Sequence, residues 1–453
     1  MPGEMQLLVA LARDSAQRPP SYAVLPFGGV LRSHFIRALS MLGAVLVCPA
    51  AVVAQQTATR FQGATLEESS KKLGVGGPKS DLSELGYTIA PGIVFAPTAT
   101  FETGYSSNPN ELFTDAEGSL YGLSNGTAVV GFLKSTGATT LTVRGTILEY
   151  EGDIERSSRW DAGVALDNAY TVAPNTVATF GAYYLRDEIA FVPSDNEGVY
   201  GQLAYREADF ESFGRLKLDQ IGYLGDVSSA DADPVALLLA QPSQFDVQRV
   251  EGVSGFIFGP TARVGFYGEL GGANLDYLEQ QVENLLDRDA TELWATGGLR
   301  FNLHPTLVVD AGWRVNSRQV EDRRVDDPSS NYFDGRLTWS PTAQLSFLAE
   351  IDRSFVEPVS TLAVAGDRIH YGASVLYKVR PDLELAAILR HDQIEQIGDI
   401  YDFHETEVSF SMTYQWNEKA AIYGLIGNEH VEEQSTGQSY DRFQIGAGTK
   451  IRF

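Results

Sequence analysis

The sequence predicts an all-β fold: a transmembrane, antiparallel, up-and-down β-barrel of the bacterial outer membrane with about 18 strands. Three observations lead to this prediction. Polar turns recur from about residue 86 onward, the segments between them alternate apolar and polar side chains, and the chain closes on an alternating segment that ends at Phe453. Alternation with a period of two places successive side chains on opposite faces of a strand, as lipid and an aqueous lumen require.

Residues 1–54 are predicted to be an export signal rather than part of the fold. Basic residues precede a short apolar stretch, 42–54, which ends in small residues. This is the composition of a secretory signal peptide, and we expect cleavage between Ala54 and Gln55. The 31 residues that precede this region are unusually many for such a leader, so we expect the natural start to lie downstream, near Val30.

Two further features lie before the barrel. Cys48 is the single cysteine; a lipoprotein would carry lipid there, but bulky Val47 precedes it and Pro49 follows, which disfavours lipidation. Residues 55–85 are polar and rich in Gly, Ser and Lys. We expect them to form a flexible periplasmic arm ahead of a barrel that comprises residues 86–453.

Eight tight turns divide the barrel region. They recur every ~36 to 50 residues, a regular spacing typical of repeated hairpins. Many carry proline, which presets φ at a turn corner and cannot donate to a strand ladder. The predicted turns are 134–137, 173–176, 209–212, 259–262, 304–306, 340–343, 380–383 and 417–420.

Longer acidic connections alternate with these turns, and we expect them on the outer side with the turns in the periplasm. The clearest are 106–118, 151–158, 226–245, 276–288, 321–330, 357–366 and 432–439. With a first strand near 98–105, the pattern predicts nine hairpins. An even strand count returns both chain ends to the periplasm.

The strand alternation is clearest in residues 307–318: odd positions from 307 to 315 are apolar, and the alternate face carries Asp310, Arg314, Asn316 and Arg318. Segments 344–352, 368–378 and 405–416 repeat it. Residues 177–185 are apolar on both faces, so the direction of their side chains stays open. Aromatic side chains near segment ends predict an interfacial girdle; they are Trp160, Tyr170, Trp339, Tyr377, Trp416 and Phe453.

The last segment has the pattern of a closing strand. Its predicted lipid-facing side chains are Phe443, Ile445, Ala447, Thr449, Ile451 and Phe453, with Gln444, Lys450 and Arg452 facing the lumen. The pattern Gly448-x-x-Ile451-x-Phe453 also resembles the C-terminal signal that the barrel-assembly machinery reads. We therefore expect that machinery to be a partner during insertion.

Composition excludes several classes of protein. No run of 18 apolar residues follows residue 85, which excludes a helical membrane protein. With 34 Lys and Arg against 59 Asp and Glu, the net charge is −25. Nucleic-acid binding relies on basic side chains that neutralise phosphates, so no nucleic-acid partner is expected. We interpret the excess of acidic residues as a means of keeping exposed loops soluble and mutually repulsive. The alternative interpretation is that they attract cations to a pore mouth or bind divalent ions that bridge to lipopolysaccharide.

Catalytic and metal-binding patterns lack specificity. His404 and Ser374 could in principle form a hydrolytic pair. Because the chain has many serines and acidic residues, a chance occurrence explains this pair better than a catalytic site does. Asp231, Asp233 and Asp326–Asp327 could hold Ca²⁺ only weakly. We expect no enzyme activity, no cofactor and no metal.

The predicted inner face is rich in charge. Its basic candidates are Arg144, Arg215, Lys217, Arg263, Arg300, Arg314, Arg318, Arg336, Arg368, Lys378 and Arg390. Its acidic candidates are Glu269, Glu292, Asp310, Glu350, Asp352, Glu384, Asp392, Glu405 and Glu407. These charges either form opposed arcs that set a field across the pore, or neutralise one another as cross-strand pairs. The apolar part of 226–245 is a candidate plug.

Residues 92–109, GIVFAPTATFETGYSSNP, resemble the opening strand of the Putative beta-barrel porin 2 family. The likeness lies in the proline, the alternating strand and the Tyr105-x-x-Asn108 corner; Ser106 and Ser107 stand where acidic residues are common in the family. The resemblance covers residues 86–453. It implies a barrel linked with exopolysaccharide or capsule systems.

We therefore expect an outer-membrane, porin-like channel that passes small polar solutes or assists exopolysaccharide or capsule export through a charge-lined lumen. The alternative is a closed structural or receptor-type barrel with acidic surface loops. Expected partners are outer-membrane lipid, lipopolysaccharide and polysaccharide export components.

Overall fold

The computed structural model describes residues 87–108, 117–151, 159–189, 192–223, 246–278, 286–356, 363–398 and 402–453. The regular structure within these ranges is β-strand. The strands are β1 Tyr87–Ala90, β2 Ile93–Ser106, β3 Ser119–Lys134, β4 Gly137–Tyr150, β5 Arg159–Ala173, β6 Thr176–Ile189, β7 Val192–Arg206, β8 Phe210–Tyr223, β9 Val247–Phe258, β10 Val264–Tyr277, β11 Ala290–His304, β12 Leu307–Val320, β13 Ser329–Thr342, β14 Leu345–Val356, β15 Ala365–Arg380, β16 Leu383–Ile397, β17 Asp402–Asn417, β18 Ala420–Glu433 and β19 Gln438–Arg452. None of the described residues belongs to a helix long and apolar enough to cross a membrane.

Strands β2 to β19 form a closed barrel. Each pairs antiparallel with the next strand in sequence. The seam closes where β19 pairs with β2, from Arg452 opposite Thr98 to Gln444 opposite Ser106. The described chain thus confirms the predicted all-β, up-and-down barrel with eighteen strands around its circumference. The first of them extends beyond the predicted 98–105 at both ends.

Strand β1 was not predicted. It pairs with residues Ile93–Phe95 of β2, the part of that edge which β19 does not reach. The chain end lies next to it, because the Phe453 amide donates to the Pro97 carbonyl at 3.1 Å. The Lys419 ammonium donates to the Tyr87 hydroxyl at 2.6 Å. β1 therefore continues the line of β19 along β2 and satisfies backbone groups that β19 leaves unpaired.

The eight predicted turns all lie at one end of the barrel, the turn rim, where two to five residues join consecutive strands. In the turn after β5, Pro174 precedes Asn175, whose φ of 62° is the positive value that a type II turn requires at this position. Asparagine tolerates that backbone conformation better than most residues. The proline and asparagine that predicted this turn therefore have the backbone conformation that the turn needs.

The opposite end, the loop rim, carries the other connections, most of which are longer; β6 and β7 are joined there by only two residues. The predicted 432–439 loop is shorter in the structure, since β18 continues to Glu433 and β19 begins at Gln438. Paired backbone extends that hairpin almost to its tip. The predicted plug in 226–245, the acidic pair Asp231 and Asp233, and the leader with its Ala54–Gln55 cleavage site lie outside the described residues.

The outward face is apolar. Large exposed side chains such as Trp313, Phe410 and Leu270 cover it. The girdle candidates Trp160, Trp339, Tyr377, Trp416 and Phe453 are all exposed and lie toward strand ends, and Tyr170 lies at the turn end of β5. The undecided segment 177–185 places Phe180 outward and Leu185 on the buried inner face. A soluble barrel of this kind would face water with apolar groups that favour lipid.

Candidate functional site: the inward face of the barrel

Alternation along β12 shows how the strands sort their side chains. Trp313 faces outward and is 54% exposed, whereas Asp310, Arg314 and Arg318 face inward and are buried. The registers with β11 and β13 continue this sorting to the neighbouring strands, because directly opposite residues share a face. The polar side of the strand pattern is therefore the barrel interior.

The structure places nearly all lumen candidates on this inward face. They are Arg144, Arg215, Lys217, Glu269, Glu292, Arg300, Asp310, Arg314, Arg318, Arg336, Glu350, Asp352, Arg368, Lys378, Glu384, Arg390, Asp392, Glu405 and Glu407. Arg263 is the exception. It is exposed in the turn between β9 and β10, because β10 begins only at Val264, and so it lies at the turn rim rather than on the lumen wall.

Strands β10 to β12 carry a first charge cluster. Arg300 donates twice to Asp310 directly opposite it, at 2.7 and 2.9 Å. Four rungs further along the same face, Arg318 donates to Glu292 at 2.9 Å, again a directly opposite pair. Planar guanidinium groups match carboxylates in this bidentate way. These pairs join neighbouring strands and do not span the lumen.

Arg314 lies at the centre of the first charge cluster. Its Nε donates to Asn316 at 2.8 Å, and its guanidinium lies 5.4 Å from the Trp294 ring centroid. The Trp294 indole N–H donates to Glu269 at 3.1 Å, and Arg314 Nη1 lies 3.8 Å from that carboxylate. Arg314 therefore combines a charge contact with a cation–π contact, which holds its planar group in one orientation.

Strands β8 and β9 bring the predicted Arg215 and Lys217 next to Asp219, Arg249 and Glu251, which were not predicted. Glu251 accepts from Arg215 and, at 2.9 Å, from Arg249. Lys217 lies 3.3 Å from Asp219. Residues Val247 to Ile257 alternate clearly enough to reveal Arg249 and Glu251 as inward-facing, but the acidic segment before them obscures where β9 starts.

A second charge cluster occupies β14 to β19. His370 Nδ1 lies 2.9 Å from Asp392 Oδ1, and its Nε2 lies 3.8 Å from Glu350. Arg368 approaches Asp392 at 3.6 Å and Asp352 at 4.0 Å. Further charged pairs in this cluster are Arg390 with Glu407 at 3.0 Å, and Arg442 with Glu429.

The register of the second charge cluster places carboxylates directly opposite carboxylates. Glu405 faces Asp392 across β16 and β17, and Glu407 faces Glu429 across β17 and β18. Like charges in directly opposite positions destabilise a sheet unless cations compensate them. This sector of the described lumen wall thus holds two directly opposed pairs of carboxylates, with arginines beside them.

Tyrosines and carboxylates form a further inward motif that sequence reasoning missed. Glu102 of β2 accepts from the Tyr121 hydroxyl at 2.6 Å and from the Tyr423 hydroxyl at 2.7 Å. These strands flank the seam, so three side chains link β3, β2 and β18. Asp167 likewise accepts from the Tyr200 hydroxyl. The contact between Tyr423 and Glu102 forms only because the seam joins strands that are distant in sequence.

Glycines make room for these rings. A Cβ on Gly446 would lie 2.6 Å from the Tyr121 hydroxyl, and one on Gly448 would lie 2.6 Å from the Tyr423 ring. Real Cβ atoms essentially never approach so closely. Gly448, predicted as part of an assembly signal with Ile451 and Phe453, therefore also has a packing role at the seam.

The other candidates do not form a site. His404 faces outward on β17 and Ser374 faces inward on β15, so the barrel wall separates the considered hydrolytic pair. Within the described ranges, no three His, Cys, Asp or Glu side chains are placed to hold a metal ion.

Comparison with known proteins supports the resemblance over the second half of the barrel. The family model described as Putative beta-barrel porin 2 matches residues 247–453, which comprise β9 to β19. The opening strand in residues 92–109, which carries the resemblance in the sequence, lies outside that match. No curated protein matches the chain.

Many solved structures are similar in fold. The outer membrane protein OpdK from Pseudomonas aeruginosa is 12% identical, with a TM-score of 0.44 over 79% of this chain and 99% of that one. OccAB4 from Acinetobacter baumannii is 9% identical, with a TM-score of 0.43 over 79% and 98%. The siderophore receptor PirA from Pseudomonas aeruginosa is 9% identical, with a TM-score of 0.41 over 79% and 80%.

Proposed function

We propose that this chain forms a channel in the bacterial outer membrane through which small polar solutes diffuse. One observation carries the proposal: a closed ring of strands presents apolar side chains outward, and most of its strands present charged or polar side chains inward. That sorting suits lipid on one side and water on the other. A barrel of this strand number is too wide for its own side chains to fill, which supports an aqueous passage.

The mechanism needs no covalent step. The inward charges are held by neighbours on adjacent strands, so they present fixed dipoles along the wall rather than mobile groups. A polar solute can exchange part of its hydration shell for these dipoles as it passes. Assistance to exopolysaccharide or capsule export is the more specific form of this proposal, and polysaccharide export components are its expected partners.

A closed structural or receptor barrel is the second candidate, and a specific observation favours it. Several inward charges are almost fully buried, Arg318 with 0% of its surface exposed and Asp334 with 2%. Paired charges at such depth suit a narrow interior more than a wide aqueous one. In that case the acidic surface loops would carry the function.

Planar-bilayer recording separates the two candidates. The channel proposal expects ohmic single-channel steps from the purified, heat-modifiable barrel. A folded barrel that remains electrically silent would favour the closed alternative. Charged disaccharides of increasing length, added to one side, would then test the export form through transient blocks of the current.

Location and assembly belong to the same proposal. We infer export by the predicted signal peptide, insertion by the barrel-assembly machinery through Gly448, Ile451 and Phe453, and residence in a membrane that contains lipopolysaccharide. Turns would then lie in the periplasm and loops outside. Density-gradient fractionation of cells, with protease applied from outside, tests both location and orientation.

A further inference from the structure

A patch of polar side chains interrupts the apolar outward face near the loop rim. We call it the histidine patch; its members are His391, Gln393, His404, Thr406, His430 and Asp441. Strand register places them on two adjacent rungs of β16 to β19. On the first rung His391 is opposite Thr406, Thr406 opposite His430, and His430 opposite Asp441; on the second, Gln393 is opposite His404.

These side chains contact one another. His391 Nδ1 lies 2.8 Å from the Thr406 hydroxyl, and His391 Nε2 lies 3.1 Å from the Gln393 amide. The His391 and His404 rings are 6.0 Å apart between centroids. His430 Nδ1 lies 3.1 Å from Asp441. The patch is thus an ordered polar surface rather than a set of scattered side chains.

Apart from the exposed amide of Asn428 on the first of them, the rungs below the histidine patch are apolar and exposed. Leu389 is opposite Val408, and Phe410 is opposite Ile426 one rung further down. Leu389 is 47% exposed and Phe410 is 55% exposed. Polar groups that face hydrocarbon without partners cost several kcal/mol each, of the order of 2–7 kcal/mol. The membrane core should therefore end between these rungs, with the patch at headgroup height.

Charge decides which part of a headgroup fits. The histidine patch itself contains Asp441, Glu395 and Glu432 face the same way, and the outward positions of β16 to β19 carry neither Lys nor Arg. Arg353 on nearby β14 is already paired with Asp367 on β15. A phosphate needs a compensating cation, and this surface offers no permanent one. Imidazole, amide, hydroxyl and carboxylate groups instead match the donors and acceptors of sugar hydroxyls.

We propose that the histidine patch binds the sugar headgroup of a glycolipid in the outer leaflet. The proposal rests on the membrane location inferred above. The Tyr371 ring, 5.9 Å from the His391 ring, adds an aromatic edge to the surface. The lipid's acyl chains would lie along the apolar rungs below while its sugar contacts the patch, so one ligand satisfies both parts of the face.

Lipid retention tests the proposal. The purified barrel is placed in phosphatidylcholine nanodiscs with equal small fractions of a neutral monoglycosyl diacylglycerol and of phosphatidic acid, and retained lipids are counted by native mass spectrometry. We expect selective retention of the glycolipid, and about tenfold less in a variant with His391→Leu, Gln393→Leu and His404→Leu. Retention of phosphatidic acid instead would overturn the sugar assignment.

A matched control lies elsewhere on the outward face, on β11 and β12. Thr291 and Gln319 are also outward-facing, polar and directly opposite each other near the loop rim. The Thr291→Leu, Gln319→Leu variant should keep the glycolipid. Equal retention by the patch variant and this control would refute the proposal. If the triple variant fails the heat-modifiability test of folding, the single variants His391→Leu and Gln393→Leu give the same comparison, with partial loss expected.

The result is independent of transport. Conductance in glycolipid-free bilayers should be the same for wild type and the patch variant, because the substituted side chains face away from the lumen. A silent wild-type barrel that still retains glycolipid would remove the channel proposal and leave the histidine patch intact. A conducting barrel without selective glycolipid retention would refute the histidine-patch proposal and leave the channel proposal intact.

Discussion

Glu102 bridges the seam of the barrel through a single carboxylate. It accepts from Tyr121 on one side and Tyr423 on the other. We predict that Glu102→Gln lowers the free energy of unfolding by about 1–2 kcal/mol, since an amide offers one acceptor oxygen where the carboxylate offers two charged ones. Urea titration of the barrel in lipid vesicles measures the change. Tyr423→Phe should lose about half as much; no change in either variant would contradict a bridging role.

Arg318 and Glu292 form the most deeply buried directly opposed pair. Removing one partner leaves a buried charge, so Arg318→Met should destabilise the barrel by about 3–5 kcal/mol. Adding Glu292→Gln should recover much of that loss, and the same urea titration gives the coupling energy. Lys378 provides a matched control. It is opposite Glu384 but exposed, and Lys378→Met should cost no more than about 1 kcal/mol.

At the scale of elements, β19 both closes the barrel and ends the chain. The Phe453 ring is exposed on the outward face, and its amide donates to Pro97. We predict that deletion of Phe453 reduces the folded, heat-modifiable barrel in outer-membrane fractions severalfold, while channels that do insert keep their conductance. Phe453→Tyr is the control and should assemble normally. Normal membrane levels of the truncated chain would refute the proposed assembly role.

Two loops are joined by Asp322. Its carboxylate accepts from the Asp287 amide at 2.8 Å and from the Arg324 amide at 2.8 Å. The side-chain hydrogen bond from Arg324 is the main reason that the pKa of Asp322 lies well below its usual range, and the two backbone N–H groups add to it. A depressed folded pKa means that this stabilisation is complete above the ordinary aspartate pKa and is lost only as pH falls through the lower folded value.

The loop connection should therefore persist at about pH 4, near the ordinary pKa of a free aspartate. Hydrogen exchange of the Asp287 amide, corrected for intrinsic rate, measures it. We expect equal protection at that pH and at neutral pH in the wild type, and reduced protection in Asp322→Asn. Asp326→Asn, in the same loop, should leave the amide protected. Loss of wild-type protection at about pH 4 would contradict the depressed pKa.

At the scale of the whole molecule, the second charge cluster concentrates directly opposed carboxylates in one sector of the lumen wall. Neutralising Glu405 and Glu407 removes two negative charges from the inward face. We predict that Glu405→Gln with Glu407→Gln shifts the reversal potential in a KCl gradient toward anions, because fixed negative charge attracts cations into a pore. Glu395→Gln alters an outward side chain of β16 and should cause no shift. An unchanged potential in the double variant would place these residues away from the conducting path.

The strand arrangement was largely predictable because it depends on local patterns. Turns such as Pro174–Asn175 carry their own backbone preferences, and alternation in β12 or β17 assigns each side chain to a face without knowledge of its neighbours. Strand ends were less predictable. β1 and the long β18 to β19 hairpin depend on which backbone edges remain free once the ring has closed.

The sequence by itself determined the class of fold, the strand number and the inward positions of most charges. It also determined that the short turns lie at one end of the barrel and the loops at the other. Each of these follows from period-two alternation and turn chemistry. Only the tertiary structure decided which charges meet. Arg318 reaches Glu292, Glu102 reaches Tyr423, and His391 reaches Thr406 because of inter-strand register. Register is set by cooperative pairing around the closed ring, and a shift of one residue would exchange the two faces of a strand.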